Sequence, residues 1–573
     1  LAITSLLAAS TFISQSGAAS VTAAAAKNAL DGITIASADD VRGYITLPVI
    51  LEGLPGTEIH WKSSKPDIVS DQAMGAIAPG AVKRPPVGAK PVSVILTACI
   101  TTTDIETLTC RDFTLKVQPS VRLASFSRYG MSNFARSNNQ NGQQVYMAYS
   151  VGNDATTWVA TNGGFSYLDS TYGMHATRDA CVIRSPEGDR FYLLATDLNV
   201  DGTPYGWQGW DWAQSNASRY IEVWESNDLR HWSQQRHLLV SSIEAGMTYA
   251  PEAIWDPAIG TYVVFWTSSL YPADTHYSAN RSDPKGRYPL NRNVIMYATT
   301  RDFRTFTPAK VFSGRPNHGA LDATIVLNKA TGYYHRFVSD HTSTGINITR
   351  YISTCASEDI YQERSKSILA PPYMWELVEG CITHSTMNTT YAEAPLAIQA
   401  NPGDPRGEGW YLYSDQKWAG SPSGQPLEEQ LSPYWTTDIE KGDWKPIDWN
   451  MKPAYNGSLG VIRHGTIFAL TTGEHAALRG ADLVAVVVNS PPTKTDYAVG
   501  EELDLTGLVV SASYTDGIKG EIISEGHGGY LVSGFDTQKP GKQVVTVSYM
   551  VVNVIKTATF QVKVTSYQHH HAP

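Results

Sequence analysis

Five short stretches of this chain each carry one ionisable residue at an almost constant spacing. They are Arg178-Asp179-Ala180, Pro251-Glu252-Ala253, Leu321-Asp322-Ala323, Ala392-Glu393-Ala394 and Arg463-His464-Gly465. The steps from Asp179 through Glu252, Asp322 and Glu393 to His464 are 73, 70, 71 and 71 residues. Taken alone, an acid at the start of a strand has a plain reading: it caps a turn or accepts backbone amides. The constant period changes that. Radial repetition would bring all five residues to one axis as a ring of Asp, Glu, Asp, Glu and His. Carboxyl groups gathered around an imidazole are equipment for moving protons.

A period of about seventy residues built from strands marks a propeller or a related repeat architecture. Each ionisable residue is followed by a short apolar run. In four of the five, a Gly-containing turn and an aromatic strand come next, as in Phe191-Tyr192-Leu193-Leu194, Tyr262-Val263-Val264-Phe265, Tyr333-Tyr334-His335-Arg336 and Trp410-Tyr411-Leu412-Tyr413. A second signature repeats alongside the first: Trp224-Glu225-Ser226-Asn227-Asp228-Leu229-Arg230-His231-Trp232, then Tyr297-Ala298-Thr299-Thr300-Arg301-Asp302-Phe303, then Trp435-Thr436-Thr437-Asp438-Ile439, with weaker echoes near Trp158 and Ser365. These read as outer hairpins in which Asp caps the turn and the aromatics pack between blades. The expected fold class is all-β, a five-bladed β-propeller over residues 121–480 flanked by immunoglobulin-like β-sandwich domains at 20–120 and 481–566. Residues 20–118 alternate apolar and polar, as in Val92-Ser93-Val94-Ile95-Leu96. Ile59-His60-Trp61-Lys62-Ser63-Ser64-Lys65-Pro66-Asp67 and Tyr497-Ala498-Val499-Gly500-Glu501-Glu502-Leu503 resemble bacterial immunoglobulin-like modules. A loose tail is expected at 567–573.

The 573 residues are 42% hydrophobic and 17% charged, which excludes a disordered chain. A net charge of −10 with no Lys/Arg run argues against nucleic acid as a partner. Thirty Tyr and fifteen Trp suit a carbohydrate-handling surface as well as plain β-structure. The opening Leu1-Ala2-Ile3-Thr4-Ser5-Leu6-Leu7-Ala8-Ala9, with small residues around Gly17-Ala18-Ala19, reads as a signal peptide lacking its first residues (1–19), hence a secreted, extracellular protein. No membrane partner is expected, because no segment is long and apolar enough to span. Sequons at Asn216, Asn280, Asn347, Asn388 and Asn456 agree with secretion, and their use would require a eukaryotic route. Of five cysteines, Cys99 and Cys110 flank a hairpin and could bridge. Cys355 and Cys381 could pair within one repeat, leaving Cys181 as a buried filler. Other connectivities stay open, and no Cys/His cluster has zinc-ligand spacing.

The segment from Arg122 to Gly480 resembles glycoside hydrolase family 43, five-bladed propeller enzymes that invert configuration at pentose or galactose linkages. The likeness rests on Arg178-Asp179 before Val182-Ile183-Arg184, Leu321-Asp322-Ala323-Thr324, Ala392-Glu393-Ala394-Pro395, Arg463-His464-Gly465-Thr466 and Tyr249-Ala250-Pro251-Glu252. It implies that Asp179 is the general base, Glu393 the general acid, and Asp322 the residue that tunes the acid and holds substrate. An inverting glycosidase needs a carboxylate and a carboxylic acid about 6.5–9.5 Å apart, with room for a water. A third acid is useful there, because a nearby negative charge keeps the second protonated. Glu252, Trp255, Arg463 and His464 are the expected substrate contacts, and Trp210 and Trp212 are further aromatic candidates. The resemblance implies no required cofactor and no metal ligands, but allows a Ca2+ ion or a water near His464. It departs from the family where Ala180 replaces the usual Pro after the base, and where Glu393-Ala394-Pro395 replaces Glu-Gly-Pro.

The expected activity is removal of α-L-arabinofuranosyl groups from plant cell-wall arabinan or arabinoxylan by a monomer. Within the class the alternatives are β-xylosidase, endo-arabinanase, and a galactan- or galactofuranose-directed hydrolase. Outside it stands a non-catalytic carbohydrate-binding or adhesion protein. Neither sialidase boxes nor a Gly-x-Ser-x-Gly elbow is present.

Overall fold

A computed structural model describes residues 22–50, 58–101, 108–137, 143–200, 213–271, 293–313, 319–340, 359–387, 389–418, 430–456 and 458–566. The leader at 1–19, the tail at 567–573, the sequon asparagines 280, 347 and 388, Cys355, Trp210 and Trp212 lie outside them. No helix among the described residues is long and apolar enough to cross a membrane. The chain divides into two compact units, residues 1–119 and 120–573.

The first unit opens with a helix rather than a strand. In α1 (Ala23–Asp31), five alanines outweigh any alternation. Thr22 caps it by accepting the Ala25 N–H, and Ala26 and Leu30 fall on one buried face. Strands β1 (Ile59–Ser63), β2 (Val92–Thr101) and β3 (Leu108–Val117) form one antiparallel sheet in that order. Trp61, Val94, Leu96, Leu115 and Val117 pack with α1 and with Ile33, Val41, Ile45 and Leu47. Helix and irregular chain therefore supply much of the second layer. Cys99 and Cys110 face each other across β2 and β3 and are bridged.

The second unit begins with β4 (Arg128–Ser137), β5 (Tyr146–Ser150) and β6 (Trp158–Ala160). Four four-stranded antiparallel blades follow. The first is β7 (Thr177–Arg184), β8 (Phe191–Asp197), β9 (Tyr220–Ser226) and β10 (Arg236–Leu239). The second is β11 (Tyr249–Asp256), β12 (Thr261–Ser269), β13 (Asn293–Thr300) and β14 (Lys310–Ser313). The third is β15 (Ala320–Asn328), β16 (Tyr333–Asp340), β17 (Ile360–Ser365) and β18 (Glu376–Glu379). After α2 (Ile382–Met387) comes the fourth: β19 (Thr389–Gln399), β20 (Trp410–Trp418), β21 (Gln430–Thr436) and β22 (Lys445–Pro446). The fifth blade is composite. Its innermost strand is β23 (Ser458–Leu470), which pairs antiparallel with β4 and so joins the two ends of the propeller sequence. A single parallel contact, Gly465 with Ala180, ties β23 to β7. Only glycine fits there, because a Cβ on residue 465 would lie 1.8 Å from the Ser132 carbonyl oxygen.

Five apolar clusters hold the ring, one at each blade interface. Tyr192, Val264 and Phe303 join the first two blades, Phe265, Ile325 and Tyr334 the next pair, and Phe337, Leu412 and Trp444 the third pair. Tyr129, Tyr411 and Tyr413 join the fourth blade to the fifth, and Met147, Leu193 and Phe468 close the circle. The outer hairpins are built as their signature suggests. The Ser226, Thr300 and Thr436 hydroxyls accept the N–H groups of Asp228, Asp302 and Asp438, and those aspartates accept amides two residues on. The Phe303 ring sits 4.3 Å from Tyr192 and 4.7 Å from Tyr262, between two blades.

Helix α3 (Thr472–Leu478), closed by a capping box between Thr471 and Glu474, leads into a two-sheet sandwich. One sheet pairs β24 (Leu483–Ser490), β26 (Val509–Tyr514) and β27 (Glu521–Ile523). The other pairs β25 (Asp496–Ala498), β30 (Val554–Thr565), β29 (Gly541–Val551) and β28 (Tyr530–Ser533). Arg184–Glu474 and Arg128–Glu521 ion pairs and the Ala124 N–H to His527 carbonyl bond tie this sandwich to the propeller.

Candidate active site

Every innermost strand breaks register where its ionisable residue sits. The shifts fall between Arg178 and Cys181, Tyr249 and Glu252, Leu321 and Ala323, and Glu393 and Leu396, and on both sides of Ile462 in β23. Asp179 (φ 53°), Ala250 (φ 49°), Asp322 (φ 45°) and Ala394 (φ 57°) adopt the left-handed conformation at these bulges. Such a conformation costs about 1–3 kcal/mol for a non-glycine residue, and bulges re-aim side chains. The strain is therefore repeated around one ring.

Hydroxyls on the second strands hold these bulges. Thr196 Oγ1 accepts the Ala250 N–H (2.7 Å), and Thr267 Oγ1 accepts the Asp322 N–H (2.9 Å). Ser339 Oγ donates to the Ala392 carbonyl (2.8 Å), and Ser132 Oγ donates to the Ala180 carbonyl (2.7 Å). At the remaining step Asp415 does the work, accepting the His464 backbone N–H at 3.2 Å. None of these supports was singled out from sequence, although positions 196, 267 and 339 share the long period.

Around the axis, His464 Nδ1 lies 3.4 Å from Asp179 Oδ1 and 4.0 Å from Asp322 Oδ2. The first distance is long for a hydrogen bond and is read as an ion pair. Burial would depress the His464 imidazole, but the carboxylates of Asp179, Asp322 and Glu252 outweigh it and raise its pKa to about 9. Burial would likewise raise Asp179. Instead the His464 imidazole, Arg178, and the Thr196 hydroxyl donating at 2.7 Å hold its carboxyl below the usual range. Asp322 goes the other way. Burial, together with the charges of Asp179, Glu393 and Asp415, outweighs His464 and pushes it up to about 7. Glu252 is buried and accepts the Thr324 hydroxyl at 2.9 Å. Desolvation, aided by Asp322, lifts it to about 8 against the pull of His464 and Thr324.

Glu393 Oε1 meets Arg463 Nη2 at 2.7 Å, and Arg463 Nε meets Asp415 Oδ2 at 2.6 Å. Asp415 is fully buried, and desolvation raises it to about 6 although Arg463 opposes this. The structure thus gathers Asp179 and Asp322 at the His464 imidazole, with the charge of Glu252 acting on it as well, and joins Glu393 to Arg463 beside them. Trp255 lines the same cavity as Glu252, on the side away from His464. Trp255 is three residues beyond Glu252 on β11, about 10 Å along the strand. It packs edge-on to Tyr262 and, with Cys181, Thr324 and Thr466, lines a cavity of about 330 Å³. Cys181 is free and buried, while Cys381 is disulfide-bonded.

An ion near His464 was allowed by the resemblance, and the donor set speaks against it. Among the described residues, the only three His/Cys/Asp/Glu groups with ligand atoms all within 4.8 Å are Asp197, Glu222 and His237, away from the axis. Even these are held by their own contacts, with His237 Nδ1 2.5 Å from Glu222 Oε1 and stacked 4.0 Å from the Tyr220 ring. His464, Asp179 and Asp322 do not converge that closely.

Residues 124–476 match the family described as "Probable glycosyl hydrolase domain", a family-43-related group. Residues 490–564 match "Bacterial Ig-like domain (group 3)", and residues 22–120 match "Atrophied bacterial Ig domain". An α-L-arabinofuranosidase of Bifidobacterium longum is 30% identical over 403 residues, covering 64% of this chain and 36% of that protein. The chain therefore spans little more than a third of that relative's length. A thermostable family-43 glycoside hydrolase superimposes with a TM-score of 0.33 at 11% identity, over 63% of this chain and 92% of its own. An α-L-arabinofuranosidase of Fusarium graminearum gives 0.32 at 11%, over 65% and 85%. Scores this low carry no argument, and the five blades rest on the strand pairing above.

Proposed function

The chain belongs to the family-43-related glycosyl hydrolase family, and from that premise we propose that it is an inverting glycoside hydrolase releasing α-L-arabinofuranosyl groups from plant cell-wall arabinan or arabinoxylan. The observation that carries the reading is the split in charge around His464. Asp179 is held ionised, while Asp322 on another blade is held near neutrality. Pairs of carboxyl groups pushed apart in this way mark acid–base assignments.

In the proposed reaction Asp179 takes a proton from a water as that water attacks the anomeric carbon from the face opposite the leaving group. The bond from that carbon to the leaving oxygen breaks, and Glu393 gives this oxygen a proton. Asp322 tunes the acid and contacts the sugar. A second reading exchanges the last two roles. It is favoured by the Glu393–Arg463 ion pair at 2.7 Å, which engages Glu393, and by the rise of Asp322 to about 7. Arg463 and Glu252 are contacts or supports under either reading. The arabinofuranosidase name of the Bifidobacterium relative supports the choice of sugar. Xylosidase, endo-arabinanase, galactan-directed and purely binding roles are the alternatives. Secretion, extracellular action and a monomeric state belong to the same proposal.

The test is sugar release from aryl glycosides and wall polysaccharides, with the anomer first released read by NMR. Asp179→Asn should lower turnover by at least a thousandfold and spare glycan binding. The two acid readings separate by leaving group. The variant lacking the acid, Glu393→Gln or Asp322→Asn, keeps activity on a dinitrophenyl glycoside, which needs no protonation, but loses it on arabinan. No release from any substrate with retained glycan binding would leave the binding protein as the reading.

A further inference from the structure

The axis of the propeller holds an unbalanced set of groups. Asp179 on β7 and Asp322 on β15 lie 3.4 Å and 4.0 Å from one His464 on β23, the charge of Glu252 on β11 acts on the same imidazole, and Thr196 on β8 donates to Asp179. Glu393 on β19 and Asp415 on β20 share Arg463, so that cation is already engaged. Arg178 flanks Asp179, stacked 4.5 Å over the Phe134 ring. Neither ring nitrogen of His464 has a hydrogen-bond partner, although the side chain is only 3% exposed, and the buried Glu252 Oε1 also has none. An uncompensated carboxylate here would be costly, and a propeller axis lined with acids invites a cation.

We infer that the cation of this axis is the imidazolium of His464 itself, which takes the place of a bound metal ion and keeps Asp179, rather than Asp322 or Glu252, as the ionised carboxyl of the cluster. Geometry supports this. Nδ1 is nearer Asp179 (3.4 Å) than Asp322 (4.0 Å), and the axial groups do not form a three-ligand set. The rise of the imidazole to about 9 agrees. The imidazolium thus answers the nearest carboxylate, Asp179, within a pocket that is otherwise acidic. His464 is then a positioning residue that acts through Asp179. The part that concerns catalysis rests on the function proposed above; the charge state does not.

The charge is read directly on the full chain. Histidine ring ¹⁵N spectra, with His464→Gln identifying the signal by its loss, should show both ring nitrogens protonated at pH 7, with titration only above pH 8. Metal analysis should find less than a tenth of an equivalent of any divalent ion, and chelation should leave Tm unchanged. In activity, His464→Gln should move the acid limb of the pH–rate profile up by about one unit with KM within twofold. A merely structural role would lower Tm and leave that limb in place. A neutral ring at pH 7, a stoichiometric ion whose removal lowers Tm, or an unmoved limb in a folded His464→Gln protein would each overturn the inference. If the wild type hydrolyses nothing, the proposed function fails while the spectra and metal content still decide the charge.

Discussion

Thr196→Val tests the base assignment with a small change of shape. The hydroxyl donates to Asp179 Oδ2 at 2.7 Å and accepts the Ala250 N–H at 2.7 Å, and valine keeps the branched side chain but loses both bonds. A hydrogen bond to a charged group contributes about 1.5–3 kcal/mol, and one pKa unit is about 1.36 kcal/mol. The Asp179 side chain is 13% exposed, so water relieves part of the loss and the lower end applies. The base should therefore titrate about one unit higher. On the acid limb the rate should fall about tenfold relative to wild type, with the plateau little changed. Stability follows the same sign. Asp179 is depressed in the folded state, so its contribution is present above the unfolded value of about 3.9 and is lost as pH falls through the folded value. Raising that folded value removes about 1.4 kcal/mol at neutral pH, and the orphaned Ala250 amide costs about 1–3 kcal/mol more. Urea unfolding at pH 7 and pH–rate profiles on an arabinofuranosyl aryl glycoside measure both, with Thr196→Ser as the hydroxyl-retaining control. A destabilised Thr196→Val protein whose acid limb stays at the wild-type position would show that Asp179 is not the group behind the limb.

Three other outcomes are expected. Arg463→Met strips Asp415 and Glu393 of their shared cation and should cost about 3–5 kcal/mol in urea unfolding, because Asp415 stays buried; adding Asp415→Asn should recover part of this. Glu252 titrates near 8 in the fold against about 4.3 unfolded, so the native state binds the extra proton between those values and loses stability as pH rises through them. Glu252→Gln should remove a slope of up to about 1.4 kcal/mol per pH unit from stability profiles over pH 5–8. Arg184→Ala leaves buried Glu474 without its partner and should cost about 3 kcal/mol at pH 7. Arg184 overcomes burial and holds Glu474 below its usual range, so this contribution fades as pH falls below about 4, and the two proteins should converge there in thermal melts.

The propeller was legible because its period is written in side chains that the fold needs at fixed places. The acids mark the bulges, and the Ser/Thr–Asp pairs mark the outer hairpins. What escaped notice was weaker in type rather than in position. Thr196, Thr267 and Ser339 keep the spacing, but hydroxyls are too common to stand out. Asp415 was hidden because it replaces a hydroxyl in only one blade. Trp255 packs edge-on to Tyr262 and shares a cavity with Glu252, a pairing that composition alone does not show. Alternation in residues 20–118 concealed α1, where a run of alanine carries helix propensity without amphipathic contrast. Cys99 and Cys110 were readable because they stand opposite each other on two paired strands that are close in sequence.

The strand that closes the ring also carries Arg463 and His464, and this sets an order on synthesis. Ribosomes deliver β4 early and β23 more than three hundred residues later. Domains fold as they emerge, and an unpaired strand edge is a hazard while it waits. Until residues 458–470 arrive, β4 has an open edge, and the carboxyl groups brought together by the other blades lack Arg463 and His464. The last strand brings Arg463 to Glu393 and Asp415 and His464 to Asp179, so it meets an attraction of charge as well as a vacant edge. A nascent chain would then acquire its closed shape and its chemical competence in the same step, and a misregistered closure would be both unstable and inert.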